Sequence, residues 1–377
     1  MKLEAPVPPK ILARIRAPLL EAGAEVLDAP TVQPLGQLLD LAGETLRERL
    51  FIIQGEGGEE ACLRPDFTIA AARAFVAAGA PSARYFYEGH AFRVAPRGAS
   101  RAEEFLQLGL EVFEPGDPAI QDADTAAIAW RAAAAGGRDD LTLTLGDVAL
   151  FSAFIESLEL SPALRSRLER SFSSPRRLWA ELSVGSAEPA GRRGDRLDNL
   201  LGDLSESEAA EALEEIWRLS GIQAVGGRSA LEIVHRLRER AAIAKAPHLT
   251  TDQAEPIRQF LAIGDRPATA LRAISRLAGS GDRRLRVGLE AWERRLDALL
   301  GKDVPPQAMI FSAAFGRAFG YYDGALFEIR SAALGDDQPV AAGGRYDTLP
   351  ARLGGTASVG AVGCMVRPGR AWAGSAP

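Results

Sequence analysis

The order of strand and helix signals along the chain constrains its fold more than any other feature. Strand and helix signals alternate from residue 1 to about 150, helix signals alone continue to about 303, and strand signals return from Pro305 onward. Because a strand must complete its backbone hydrogen bonds with a neighbour, we expect the strands of the two outer segments to share one sheet. This order predicts an α+β fold, with a core of residues 1–150 and 304–377 and an all-helical insertion domain of residues 151–303.

Two long strand candidates in the first segment indicate an antiparallel sheet flanked by helices. They cover residues 83–94 and 103–113, and the loop of residues 96–100 separates them. A short loop joins neighbouring strands when they run antiparallel. Helices are predicted over residues 10–22, 68–78 and 117–135.

The helical segment carries helix-capping signals and a surface of mixed charge. Ser205 and Glu208 have the spacing of a capping box and predict a helix start. Its many arginines and glutamates are explained better by a solvated face than by a binding patch.

Composition excludes several functional classes. The net charge of the 377 residues is -6, which does not indicate nucleic-acid binding. Cys62 and Cys364 are far apart, and the three histidines cannot form a His-rich metal site without carboxylates, so we expect no metal and no disulfide. There is no signal peptide and no run of 18 apolar residues, so we expect a cytoplasmic protein without a membrane span.

The strand over residues 103–113 has one unusual face. Alternate side chains of a strand point to the same side, so Gln107 and Glu111 share a face with Phe105 and Phe113, while leucines and a valine form the other. A carboxylate in a covered sheet is costly unless a cation or donor meets it. This face is therefore either a ligand site or a face open to water, and the sequence leaves both readings open.

Three further positions carry polar chemistry with more than one interpretation. Arg93 ends a strand and could bind phosphate or carboxylate, or lie on the surface. Asp66 and Thr68 stand at the entrance of a predicted helix, where either could be an N-cap.

The C-terminal segment contains two conspicuous runs. One carries tandem tyrosines, Tyr321 and Tyr322, and the other places Arg345, Tyr346 and Asp347 directly after a glycine pair. Phenol groups and an arginine at these positions are typical of a polar site that binds a small zwitterion. The alternative is ordinary strand residues followed by a turn.

Taken in chain order, these motifs resemble the class II aminoacyl-tRNA synthetase core of the histidyl type. Residues 63–68 resemble its Leu-Arg-Pro-Glu-Gly-Thr, Phe92 and Arg93 with residues 105–113 resemble motif 2, and residues 317–328 resemble its Arg-Gly-Leu-Asp-Tyr-Tyr-Thr-Gly run. Residues 343–347 match directly, and residues 359–367 take the place of motif 3. The resemblance covers about residues 8–150 and 305–368 and implies a class II antiparallel sheet.

The resemblance also implies a histidine-binding pocket. In it, Asp66, Thr68 and Gln107 would hold the α-amino group, and Glu111 and Tyr322 would bond the imidazole. Tyr321 and Tyr346 would lie beside the ring, and Arg317 would face the carboxylate. Arg93 and Arg367 would be residual phosphate-binding positions of an ATP site.

Departures from the synthetase pattern affect the ATP site more than the histidine pocket. Ala95 replaces a glutamate that reads adenine, and Glu103 replaces a phosphate-binding arginine. Gly320 and Asp323 alter the tyrosine run. The chain ends ten residues after Arg367, where an anticodon-binding domain would be expected.

This pattern is similar to the regulatory subunits of ATP phosphoribosyltransferase, synthetase paralogues of histidine biosynthesis. The similarity implies a non-catalytic protein without cofactor, a homodimer within a hetero-oligomer. Its partner would be the short-form catalytic subunit, which it would activate and through which histidine would inhibit. A histidine-activating ligase that binds ATP despite Ala95 and Glu103 is the second interpretation. A structural or RNA-binding relic is the third, disfavoured by the acidic net charge.

Overall fold

The structure is a computed structural model. It describes residues 4, 6–55, 60–96, 101–172, 174–183, 204–219, 229–231, 233–235, 237–238, 249–278, 283–316, 319–335, 338–355 and 359–374.

Twelve strands are present in the described part of the chain. They are β1 Glu25–Val26, β2 Val32–Pro34, β3 Ile52–Gln54, β4 Glu60–Leu63, β5 Ala83–Phe92, β6 Glu104–Glu114, β7 Leu141–Asp147, β8 Gly264–Asp265, β9 Met309–Ser312, β10 Ala325–Ser331, β11 Ala341–Arg345 and β12 Gly360–Val366.

The α-helices of the described residues fall between and after these strands. They are α1 Pro9–Leu20, α2 Leu35–Ala42, α3 Thr68–Ala78, α4 Pro118–Ala134, α5 Val148–Ser157, α6 Pro162–Phe172, α7 Pro175–Leu182, α8 Glu206–Leu219, α9 Thr251–Leu261, α10 Pro267–Ala278, α11 Arg283–Leu300, α12 Leu349–Arg352 and α13 Pro368–Ala371.

Strands from both ends of the chain form one sheet, as the sequence predicts. Its order is β1-β5-β6-β12-β11-β10-β7-β9-β8, and β2, β4 and β3 form a second, small sheet. The six strands from β5 to β7 are antiparallel, and only the outer pairs β1–β5 and β7–β9 are parallel among the described strands. The pairing of β6 with β12 brings residue 111 opposite residue 363.

The two faces of β6 are buried against different surroundings. Leu108, Leu110 and Val112 belong to the main core, together with side chains of α1 and α4 such as Leu19 and Trp130. The opposite face carries the polar residues of the strand. This division agrees with the alternation in the sequence, since β-strand side chains have a period of two.

The helices after residue 150 pack into the same core as the sheet. Phe172 of α6, Phe260 of α9 and Trp292 of α11 lie in one buried cluster with Leu143 and Phe311 of the sheet. The short strand β8 pairs with β9, so a strand occurs in the range predicted to be all helical. The division into a core and an insertion domain stays a prediction.

A buried ion network joins α4, α11 and the end of β11. Asp122 accepts from Arg295 Nε at 2.6 Å and from Arg345 Nε at 2.8 Å. Arg345 also pairs with Asp347 at 2.7 Å. The sequence made Arg345 a candidate for binding a zwitterion. In the structure its ion pairs connect the end of β11 to α4 instead.

The predicted capping box is present. Glu208 accepts from the backbone N–H of Ser205 at 2.7 Å, and the Ser205 hydroxyl accepts from the N–H of Glu208 at 3.2 Å. Within the described ranges, no helix combines the length and apolar character needed to cross a membrane.

Candidate functional site

Glu111 is the centre of a buried polar pocket on the sheet. It is 1% exposed, and its carboxylate accepts hydrogen bonds from the hydroxyl of Thr68 at 2.7 Å and from the phenol of Tyr346. Both donors approach from outside β6, because Thr68 begins α3 and Tyr346 follows β11. The face of β6 is thus closed, and the interpretation of a water-exposed face is wrong.

Asp66 faces the same pocket. Its carboxylate accepts from the hydroxyl of Tyr321 at 3.0 Å. Helix α3 has Phe67 as its N-cap, with no side-chain capping bond. The N-cap interpretation of Asp66 and Thr68 is therefore not realised, since both side chains turn towards the sheet and away from the helix start.

Gln107 supplies an acceptor that is open in the pocket. Its amide nitrogen donates to the hydroxyl of Tyr87 at 3.1 Å. Its Oε1 is buried, and no described residue donates a hydrogen bond to it. A buried acceptor without a donor costs free energy of about 1–3 kcal/mol, so this atom is suited to a ligand N–H.

Two glycines of the sheet make room for these side chains. A Cβ on Gly363 would lie 1.6 Å from Glu111 Oε2, and a Cβ on Gly109 would lie 2.1 Å from the hydroxyl of Tyr87. Neither distance is compatible with any larger residue. The glycines thus determine where the carboxylate and the phenol lie over the sheet.

Burial dominates the electrostatics of the pocket. It raises the pKa of Glu111 to about 8, although the hydrogen bonds from Tyr346 and Thr68 act in the opposite direction. Burial also raises the pKa of Tyr321 and Tyr346 well above 10, so both phenols stay protonated and can donate. A ligand that brings a donor or a positive charge to Glu111 would favour its ionised form.

The structure brings most of the predicted pocket residues together. Six of them line one cavity, namely Asp66, Thr68, Gln107, Glu111, Tyr321 and Tyr322. Tyr346 reaches the cavity through its bond to Glu111, and its ring lies 6.2 Å from that of Tyr322. Arg317, predicted to face a carboxylate, lies outside the described residues. The free space between the side chains is about 10 Å³, close to one water, so a ring-sized ligand requires side chains to shift.

A second, larger cavity of about 190 Å³ adjoins this pocket. We call it the arginine pocket, because Arg49, Arg93, Arg101, Arg367 and Arg370 line it together with the single acid Glu328. It contains both predicted phosphate positions, Arg93 and Arg367.

Each of these two arginines already has partners in the protein. Arg93 donates to the Pro65 carbonyl at 2.8 Å and lies over the ring of Phe319 at 5.1 Å. Arg367 pairs with Glu4 at 2.6 Å.

Two of the residues that depart from the synthetase pattern, Ala95 and Glu103, lie in or beside the wall of the arginine pocket. Ala95 is in its wall, where a small apolar side chain offers nothing to a base. Glu103 accepts from the backbone N–H of Ala95 at 3.2 Å and is not among the lining residues.

Several residues that line the two pockets were not predicted from the sequence. Tyr87 of β5 stacks on Phe67 with ring centroids 4.2 Å apart and supports Gln107. Its alternation with Tyr85 on β5 was the available signal. Arg49, Arg101 and Arg370 had none, because only folding brings these three positions together.

Comparison with known proteins defines the class first. The family model for histidyl-tRNA synthetase matches residues 9–255 and 223–368. Solved structures with the same fold include an ATP phosphoribosyltransferase regulatory subunit/histidyl-tRNA synthetase from Bacillus halodurans, at 19% identity and a TM-score of 0.65, covering 97% of this chain and 79% of that one. Another is the histidyl-tRNA synthetase from Nostoc, at 17% identity and a TM-score of 0.60, covering 96% and 69%. The protein therefore has the class II synthetase fold of the histidyl type.

Relatives of higher sequence identity define the family within this class. The ATP phosphoribosyltransferase regulatory subunits of Brucella ovis and Brucella abortus are each 35% identical to this chain over 363 residues, which is 94% of either chain. The chain belongs to the family of ATP phosphoribosyltransferase regulatory subunits. This confirms the prediction of a regulatory, non-catalytic subunit that is a paralogue of the synthetases.

Proposed function

We propose that the protein binds free histidine in the polar pocket and transmits this to the short-form catalytic subunit of ATP phosphoribosyltransferase, which it also activates. The single observation that carries the ligand assignment is the buried pair of Glu111 and the open acceptor Gln107 Oε1. Histidine has donors for both atoms.

The position of each ligand group follows from the charges of the pocket. The ammonium group fits between Asp66 and Gln107 Oε1, where one carboxylate and one open acceptor meet it. The imidazole N–H fits against Glu111, which is held in place by Thr68 and Tyr346. A ring between Tyr322 and Tyr346 replaces water with aromatic contacts.

Regulation follows from differential binding. Histidine can shift the equilibrium between the active and the inhibited state of an assembly only by the ratio of its affinities for these two states. The small free space of the pocket supports a coupling of this kind, because the side chains that shift to admit histidine also pack against α2 and α3. The assembly we propose is a cytoplasmic hetero-oligomer built on a homodimer of this chain.

Calorimetric titration of histidine into the purified chain tests the pocket. We expect Glu111→Gln to weaken binding by at least about 30-fold, because a charge-assisted bond is lost in a buried site. Glu114→Gln is the matched control, since Glu114 lies on the same strand and pairs with the exposed Arg84. Equal affinity of the Glu111 variant and the wild type would rule out this site.

The regulatory role is tested separately with the catalytic subunit. We expect its phosphoribosyltransferase rate to rise when this chain is added and to fall again with histidine. The fall should be absent with Glu111→Gln. If the phosphoribosyltransferase rate does not change when this chain is added, the proposal is contradicted even if histidine binds.

A histidine-activating ligase is the second candidate, and the arginine pocket beside the polar pocket favours it. Histidine-dependent exchange between ATP and pyrophosphate tests this candidate. Exchange by the wild-type chain would support the ligase. Absence of exchange in a folded sample would contradict the ligase and leave the regulatory role.

A further inference from the structure

Asp323 stands in the tyrosine run at the place where the synthetase pattern has a threonine. It does not line the polar pocket, but it directly follows Tyr322, whose side chain does. The acid is partly buried and lies just before the start of β10. Because a partly buried carboxylate is costly unless hydrogen-bond donors meet it, the donors of Asp323 indicate its role.

The donors of Asp323 are backbone N–H groups of the turn that follows β11. Its Oδ1 accepts from the N–H of Asp347 at 3.0 Å, and its Oδ2 accepts from the N–H of Thr348 at 2.8 Å. In the other direction, the backbone N–H of Asp323 donates to the carbonyl of Arg345 at 3.1 Å. These bonds connect Asp323 to residues on both sides of Tyr346.

Tyr346 points from this turn into the polar pocket. Its phenol donates to the Glu111 carboxylate, and its backbone N–H donates to the carbonyl of Ala361 at 2.8 Å. The direction of a side chain depends on the backbone angles of its residue, so hydrogen bonds on both sides of Tyr346 fix the direction of its phenol. Asp323 is therefore linked to Glu111 through Tyr346.

A carboxylate fits position 323 better than other small polar side chains do. Both oxygens of Asp323 accept a backbone N–H, whereas an asparagine has one acceptor oxygen and a threonine hydroxyl has one oxygen. The following residue, Gly324, lets the two segments approach closely, because a Cβ there would lie 3.1 Å from side-chain carbons of Arg345. The pair of bonds to the turn thus depends on the acid.

We infer that Asp323 is a positioning residue of the polar pocket, which fixes the turn of residues 345–348 so that the phenol of Tyr346 stays on Glu111 and thereby sets the affinity for histidine. The part of this inference that concerns affinity rests on the proposed function. A displacement of about 1 Å is enough to impair a binding group, so the loss of either bond from Asp323 acts on Glu111. The change from threonine to Asp323 then supports the pocket and does not remove it.

Fluorine NMR tests the positioning without any ligand. The chain has five tyrosines, so labelling with fluorotyrosine gives five resonances, and Tyr346→Phe identifies that of Tyr346. We expect Asp323→Asn to shift this resonance and to leave that of Tyr85, outside the lining of the polar pocket, nearly unchanged. Asp140→Asn is the matched control, because Asp140 also accepts a backbone N–H, that of Ala333 at 2.9 Å, and does not line the pocket. An unshifted Tyr346 resonance in Asp323→Asn would overturn the inference.

Calorimetric titration of histidine measures the consequence for the ligand. We expect Asp323→Asn to weaken histidine binding about ten-fold and Asp140→Asn to leave it unchanged. In the Tyr346→Phe background, Asp323→Asn should have little further effect, because the donor that Asp323 positions is already gone. An equal loss of affinity in both backgrounds would overturn the inference, since Asp323 would then act by a general loosening of the protein.

Asp323→Thr is the second variant, for the case that Asp323→Asn does not fold. Its hydroxyl oxygen replaces two acceptors by one, so we expect a smaller shift of the Tyr346 resonance and an affinity about three-fold lower. Wild-type affinity together with an unshifted resonance in this variant would overturn the inference. If the wild type does not bind histidine, the proposed function is contradicted, whereas the fluorine resonance still decides whether Asp323 positions Tyr346.

Discussion

The polar pocket and the arginine pocket share a wall but differ in charge and in space. Arg93, Phe319 and Met365 line both. The polar pocket has about 10 Å³ of free space around two carboxylates, whereas the arginine pocket has about 190 Å³ among five guanidinium groups. In the first, phenols and a hydroxyl donate to the two acids. In the second, Glu328 lies among the arginines and Glu4 pairs with Arg367.

The difference shows how one sheet can hold opposite charges side by side. In the polar pocket, neutral hydroxyl groups donate hydrogen bonds to Asp66 and Glu111. Because burial raises the pKa of Glu111, the protonation of this acid depends on pH near neutrality. In the arginine pocket, burial and the neighbouring arginines lower the pKa of Arg370. We therefore expect the acid Glu111 to make the first pocket sensitive to pH near neutrality.

The largest expected effect is steric and concerns the polar pocket. Gly363→Ala places a Cβ 1.6 Å from Glu111 Oε2, so the carboxylate must move. We expect histidine binding to fall more than about 100-fold and stability to fall by about 1–3 kcal/mol. Calorimetric titration of histidine and urea unfolding measure these two changes.

Gly264→Ala is the matched control for that substitution, because an added Cβ at Gly264 meets nothing within 4 Å. Equal histidine affinity of Gly363→Ala and Gly264→Ala would contradict the prediction, since the position of Glu111 would then not matter for binding.

The next effect concerns pH. The pKa of Glu111 is raised from 4.5 to about 8, so between these values the folded state holds a proton that the unfolded state has released. The free energy of unfolding therefore falls as pH rises across this window, by up to about 1.4 kcal/mol per pH unit from this group.

Urea unfolding of the wild type and Glu111→Gln at pH 5.5, 6.5 and 7.5 measures that slope. The variant lacks the titrating group, so we expect the wild type to lose stability relative to it as pH rises. Parallel curves would show that Glu111 titrates normally in the folded protein.

The smallest effect concerns a single hydroxyl. Tyr321→Phe removes the donor to Asp66 but keeps the ring that stacks on Phe319. We expect histidine affinity to fall about five-fold, since one hydrogen bond to a charged group is lost. Tyr85→Phe is the control, because Tyr85 lies outside the lining of the polar pocket. Equal losses in both variants would indicate a general loosening of the sheet.

Much of the polar pocket was predictable from the chain. The alternation along β6 identified Gln107 and Glu111 and assigned both to one face. Resemblance of the motifs added Asp66, Thr68 and the three tyrosines, which the structure brings to that face. Whether they bind histidine stays a prediction.

The arginine pocket was predictable only in part. Arg93 and Arg367 followed from motif resemblance, whereas Arg49, Arg101 and Arg370 carry no pattern. The meeting of Glu4 with Arg367 joins positions 363 residues apart, and no local rule relates them.

The sequence by itself determined the α+β class, the shared sheet of the two chain ends and the face of β6 that carries polar groups, because these depend on local periodicity. Only the tertiary structure decided what each polar group meets. Asp66 meets Tyr321 instead of a helix end, Arg345 meets Asp122 instead of a ligand, and Arg367 meets Glu4. Hydrogen bonds and ion pairs require partners within about 3 Å, and contacts between distant segments exist only once the chain has packed.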